Sequence, residues 1–138
     1  MINKLLVLLI GIAFIQIEIK GQSEDFVGDL MLTGKVININ SEIVKSDIHV
    51  VLKEDTIIQL IEKDSFQFNL EPGEEYVVFF SKKGFETKSV FVDMRLSGEN
   101  EFGYEMPLEI KLIKGRNDVK KILPVGSIFY NRETDYYE

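Results

Sequence analysis

The chain has 138 residues, 23 acidic against 16 basic side chains, a formal charge of −7 and no cysteine. Such an acidic chain repels phosphate backbones and carries no Lys/Arg stripe to offset that, so nucleic acid is excluded as a partner. Without cysteine it has no disulfide, no thiolate ligand or nucleophile and no site for a lipid anchor after a leader, so its stability must come from core packing.

At the N-terminus, Lys4 forms a short positive start, residues 5–15 are apolar with Gly11 as their one small break, and residues 16–21 turn polar through Glu18 and Lys20. This order of segments predicts a secretory signal peptide over residues 1–21, cut after Gly21 to leave Gln22 first. The apolar stretch is too short to span a bilayer comfortably, which argues against a retained anchor. Cleavage leaves 117 residues with 14 basic and 22 acidic side chains, a charge of −8. That length suffices for one domain with a core. Residues 22–29 are an acidic lead-in without periodicity, expected to be flexible.

Seven strands are expected next. The first, residues 30–39, puts Leu32, Gly34 and Val36 on one face, and a glycine inside a strand marks close approach by a neighbour. Ile48, Val50 and Leu52 form the second inward row, with His49 and Lys53 between them. A turn at Glu54–Asp55 leads into a β-branched return over residues 56–61. Residues 65–70 show the cleanest period of two, with Phe66, Phe68 and Leu70 inward and Ser65, Gln67 and Asn69 outward. Pro72 and Gly73 then supply the corners of a type II turn. Residues 76–80 are apolar on both faces, as in a strand enclosed by neighbours. Gly84 provides the left-handed residue of a short hairpin loop bearing Lys82 and Lys83, and the strand beyond it runs to Met94. A loop rich in Gly, Glu and Asn fills residues 95–105, and residues 107–113 form the last strand. Short strands about ten residues apart, with turn signals between them, predict an all-β sandwich.

Residues 115–138 form a C-terminal tail. After a charged stretch, Ile122, Leu123, Val125, Ile128 and Phe129 crowd into eight residues, too apolar for a dangling terminus. Pro124 and Gly126 argue against a single regular element there. The tail is expected to lie across the domain, or on a partner, through Ile128 and Phe129, with Tyr136 and Tyr137 facing outward. Removing residues 134–138 is then expected to leave the melting transition almost unchanged.

The stretch Tyr76 to Lys88 reads Y-x-V-x-F-x-K-x-G-F-x-x-K. With Leu32-Thr33-Gly34-Lys35-Val36, the Phe66/Phe68/Leu70 strand and the Pro72–Gly73 turn, it resembles the carboxypeptidase regulatory-like domain common in secreted proteins of Bacteroidota. Asp64 stands where that family has glycine before the strand. The resemblance covers residues 30 to about 113. It implies a seven-stranded antiparallel Greek-key β-sandwich of transthyretin-like shape over residues 30–114, serving as an accessory, plug or linker module in the periplasm or at the outer membrane, or extracellularly.

Catalysis finds little support in the side chains. His49 is the one histidine, so paired imidazoles cannot form within one chain. Alternating with Ile48 and Val50, it reads as an outward strand residue. Hydrolases of 5-hydroxyisourate share the transthyretin-like shape but use paired histidines and end in Tyr-Arg-Gly-Ser, where this chain ends Asp135-Tyr136-Tyr137-Glu138. Glu99, Asn100, Glu101 and Glu105 supply oxygen ligands that calcium can use, but they lack the alternation of known calcium loops, and a solvated acidic loop is the favoured reading. No catalytic residue, metal site or cofactor is expected. Lys82 and Lys83 at a loop tip, with Tyr130, Tyr136 and Tyr137 in the tail, are the candidate partner contacts. The expected function is that of an exported, non-enzymatic interaction module with a protein partner at the cell envelope. The alternative is a small-molecule or glycan-binding protein, although no tryptophan is present to stack on sugars.

Overall fold

The computed structural model describes residues 29–96, 103–116 and 124–138. The signal peptide, most of the lead-in, Glu99, Asn100 and Glu101 of the acidic loop, and Ile122 and Leu123 of the tail lie outside them. The described residues contain no helix. Their strands are β1 (Leu30–Ile37), β2 (Ser46–Leu52), β3 (Asp55–Lys63), β4 (Ser65–Leu70), β5 (Glu75–Ser81), β6 (Lys88–Asp93), β7 (Tyr104–Lys111), β8 (Pro124–Asn131) and β9 (Tyr136–Tyr137). They form a three-stranded sheet, β4-β1-β7, and a six-stranded sheet, β3-β2-β5-β6-β8-β9.

Alternation along each strand builds the layers. Phe66, Phe68 and Leu70 of β4 are buried while Ser65, Gln67 and Asn69 are exposed. Tyr76, Val78 and Phe80 of β5 are buried likewise. These rows join Leu30, Leu32, Ile48, Val50 and Val92 in one hydrophobic cluster spanning both sheets. The rings of Phe66 and Phe80 meet between the layers with centroids 5.4 Å apart, the separation at which tilted aromatic pairs add to plain burial. This is the arrangement of a β-sandwich.

Local chemistry explains the joints. Gly34 pairs with Phe66 on one side and Leu108 on the other. A Cβ at Gly34 would sit 1.8 Å from the Leu108 carbonyl oxygen, so close approach requires glycine there, as the sequence suggests. Gly73 has φ 98°, the positive value that a type II turn places at its second corner. The Tyr76 hydroxyl donates to the Glu71 carbonyl at 2.7 Å, fastening the turn to β5. Between β2 and β6, β5 is no edge strand, as expected, but its second apolar face, Val77 and Phe79, is only half-buried and not enclosed by a further layer among the described residues.

Three expectations need correction. Nine strands are present among the described residues, not seven, because the tail contributes β8 and β9. The sheets are mixed: β1 runs parallel to β7 and β6 parallel to β8. The chain leaves the six-stranded sheet after β6, enters the three-stranded sheet as β7 and returns as β8, and such a crossover, unlike a hairpin, permits parallel neighbours. Finally, Pro124 and Gly126 do not prevent a regular element. Both lie in β8, whose first residues pair with β6 alone, so one backbone edge there needs no partner and proline is tolerated.

Candidate functional site

The side of the six-stranded sheet turned away from the core is also apolar. Where Val50, Val78 and Val92 point inward, the alternate residues Val51, Val77 and Phe91 are half-buried on the outer side. They floor a hollow of about 530 Å³ rimmed by Lys53, Glu54, Glu74, Glu75 and Arg95. A second hollow of about 550 Å³ adjoins it, lined by Asp93, Arg95, Leu96, Phe129 and Tyr130.

Arg95 lies on both hollows and is held fast. Its guanidinium donates to Asp93 at 2.8 and 3.0 Å and meets Glu75 at 2.8 Å. The hydrogen bonds from Arg95 lower the Asp93 carboxyl below the usual carboxylate range, against a smaller opposing effect of desolvation. With two carboxylates on one guanidinium, the bridge between the hollows presents no free positive charge. The site offers a broad apolar floor with a charged rim and suits surface burial better than acid–base chemistry.

The sequence-derived contacts fall into two groups at opposite ends of β6. Lys82 and Lys83 lie in the loop before β6, where Phe85 bridges to Lys114 and the Gly115 amide reaches the Gly84 carbonyl at 3.1 Å. Lys83 is exposed and Lys82 half-buried. Tyr130 follows Phe129, which is in register with Asp93 at the other end of β6. No single surface therefore includes both groups.

The tyrosines belong to a cluster around Tyr104, whose ring makes edge contacts with Tyr130, Tyr136 and Tyr137 at 6.0, 5.7 and 5.2 Å. Asp135 accepts from the hydroxyls of Tyr130 and Tyr104, and the first of these bonds is the main cause raising the Tyr130 hydroxyl. Tyr136 donates to the Glu105 carbonyl at 3.1 Å. The expectation that Tyr136 and Tyr137 both face outward is corrected here. Tyr136 is half exposed, but Tyr137 retains 2% exposure, because β9 pairs Tyr137 with Tyr130 and turns its ring into the core. The inward and outward roles of the tail also differ from expectation: Ile128 is buried, whereas Phe129 points outward at 49% exposure.

Asp29 is a buried group that the sequence did not signal. It is 5% exposed, and neither carboxyl oxygen nor the Tyr137 hydroxyl has a hydrogen-bond partner among the described residues. Burial first, and Glu71 second, push the Asp29 carboxyl up to about 6. Burial likewise raises Tyr137 to about 12. An acidic lead-in read from sequence is solvated; here its last residue is anchored, its carbonyl accepting from the Tyr104 amide at 2.7 Å. His49 stands mid-strand opposite Gln59 and Phe79.

No family model and no curated protein matches the chain. Among solved structures, it is similar to a mercury-inhibited catechol 1,2-dioxygenase from Acinetobacter sp. ADP1, with a TM-score of 0.44 and 11% identity over 75% of this chain. The match spans 60% of that protein's chain.

Proposed function

We propose that the chain is an exported, non-catalytic β-sandwich of the carboxypeptidase regulatory-like, transthyretin-like kind, with Greek-key connections, acting as an interaction module at the cell envelope. The observation that carries the interaction reading is the second apolar face of the six-stranded sheet. A sandwich core needs one face of each sheet, yet Val51, Val77, Phe91 and Phe129 extend an apolar surface along the other, rimmed by charge. Depletion of free charge at the centre with charge at the rim is the composition of a protein-binding patch. The family reading is supported by the positions of its motif residues: Phe66, Phe68 and Leu70 inward on β4, Gly73 at the turn, and Tyr76 tied back across it.

Export rests on the order of charge and hydropathy in residues 1–21, and the mature protein is expected to begin near Gln22. N-terminal sequencing from the native host checks this, and intact Met1 in the mature pool refutes it. For the face, Phe129→Asp should lower the melt modestly, since it sets a carboxylate against Asp93, and sharply reduce partner recovery from envelope extracts at temperatures well below that melt, while Phe129→Tyr retains recovery. Equal recovery by both variants removes the face from the account.

A small-molecule ligand is the second reading, supported by the size of the hollow over Val51, Val77 and Phe91, about 530 Å³, within the range of ligand pockets. Titration with ligand libraries that shifts the melt of the wild-type protein but not of Phe91→Ser favours it.

A further inference from the structure

Strand β3 ends the six-stranded sheet, with β2 on one side and no strand on the other among the described residues. An open edge is a template for another strand, and proteins blunt such edges with proline, charge or short length. The other edges are blunted: β7 contains Pro107, β9 has two residues, the part of β8 it leaves uncovered holds Pro124 and Gly126, and β4 has only six residues. On β3, nine residues without proline or glycine, the register shifts against β2 and the positive φ of Glu62 bend the two ends, but the middle, residues 58–60, stays regular and open, with Ile57 and Ile61 beside it 47% and 50% exposed.

The sequence of β3 is complementary to itself. An antiparallel copy centred on Gln59 sets Ile57 opposite Ile61, Ile58 opposite Leu60 and Asp55 opposite Lys63, each match occurring twice across the two-fold axis. Opposed residues in antiparallel strands share a face, so half-buried Ile58 and Leu60, paired with Val50 and Ile48, meet on the core side, the exposed isoleucines beside them meet each other across the axis, and the end charges are opposite. The two register shifts against β2 flank the segment and leave residues 58–60 regularly paired with residues 48–50. Backbone pairing therefore centres on residues 58–60, while the flanks meet through side chains.

We infer that β3 is a homodimer interface, at which a second copy of this chain adds its own β3 antiparallel about Gln59 and makes the two six-stranded sheets continuous. Self-complementary pairing about a two-fold axis is the geometry of an isologous dimer. The inference is independent of what the outer face binds.

Sedimentation velocity on protein produced from the full sequence should show a concentration-dependent dimer. Ile57→Lys should weaken it at least about tenfold by burying an unpaired charge on each side of the axis, with a melt close to wild type at dilutions where both are monomeric, because Ile57 is about half exposed. The double variant I57K/I61E should restore dimerisation, since it sets opposite charges against each other at both positions. Gln59→Cys supplies the only thiol in the chain and should oxidise to a disulfide-linked dimer, because directly opposed residues lie within disulfide reach. Asp55→Cys should not, since its counterpart is Lys63. A monomer at every concentration, a dimer unaffected by Ile57→Lys, or equal cross-linking at both thiols would each overturn the inference. A monomer would leave a strand from a different protein as the occupant of the edge.

Discussion

Tyr137 is the second residue from the C-terminus, yet it should carry much of the stability of the tail. Its ring is 2% exposed and makes edge contacts with Tyr104 at 5.2 Å and Tyr130 at 5.5 Å. Burying a tyrosine removes about 150–250 Å² from water, an upper bound of roughly 4–6 kcal/mol at about 25 cal/mol per Å². Against that stands a hydroxyl buried without a partner among the described residues, a cost of about 1–3 kcal/mol. The difference gives a loss of about 3 kcal/mol for Tyr137→Ala, or a fall in Tm of roughly 10 °C for a domain of this size. Tyr137→Phe keeps the ring and deletes the unpartnered hydroxyl, so it should hold or raise stability by up to about 1 kcal/mol. Removing residues 134–138 should destabilise at least as much as Tyr137→Ala, the opposite of what a solvated terminus would do. Urea melts of the three variants decide the matter. A loss under about 1 kcal/mol for Tyr137→Ala would show that β9 is not docked, and a clear loss for Tyr137→Phe would show that the hydroxyl has a partner.

Asp29 should make stability fall with rising pH. Its folded value near 6 lies above the ordinary 3.8, so its favourable contribution is full below about pH 4 and lost as pH rises through about 6. The neutral Asp29→Asn should therefore match wild type near pH 4 and exceed it by up to roughly 3 kcal/mol at pH 7.5; an identical pH profile for both proteins would refute the buried carboxyl. Asp93, lowered by Arg95, works in the opposite sense and loses its contribution as pH falls, which is why the difference between the two profiles is the quantity to measure. Gly34→Ala should prevent normal folding or cost more than about 4 kcal/mol, because its Cβ would overlap the Leu108 backbone; a near-native melt would mean that β1 and β7 do not pair in this register.

Much of the fold follows from local pattern. The alternation in β4, the double-faced β5, the glycine at the β1–β7 approach and the Pro72–Gly73 corner each depend on neighbouring residues, and each lies where its chemistry places it. The tail is different. Read along the chain, Pro124 and Gly126 signal a break, but their tolerance in β8 depends on an edge position, which only the sheet order supplies. The burial of Tyr137 likewise depends on the β8–β9 pairing, and the terminal Tyr-Tyr pair gives no sign of which ring turns inward. Asp29 hides for a similar reason: an aspartate beside a strand is usually solvated, and here its backbone is held by the Tyr104 amide at the start of β7, far away in sequence. Of the candidate contacts, Lys83 and Tyr136 reach the surface, yet the opposite placement of their elements along β6 could not be seen without knowing that β8 runs parallel to it. The outer apolar face was visible in part through Val77 and Phe79, although a second apolar face on a strand reads equally as burial within a larger domain.

The central claim is that the outer face of the six-stranded sheet binds a protein partner at the envelope. Site-specific photo-cross-linking in intact native cells tests it most directly, with the reactive side chain placed at Phe129, at Leu96 and, as a control, at Gln67 on the exposed side of the three-stranded sheet. The account predicts a discrete heavier adduct from Phe129 and Leu96 and none from Gln67. Adducts of equal yield from all three positions, or no adduct from Phe129 and Leu96, would contradict it.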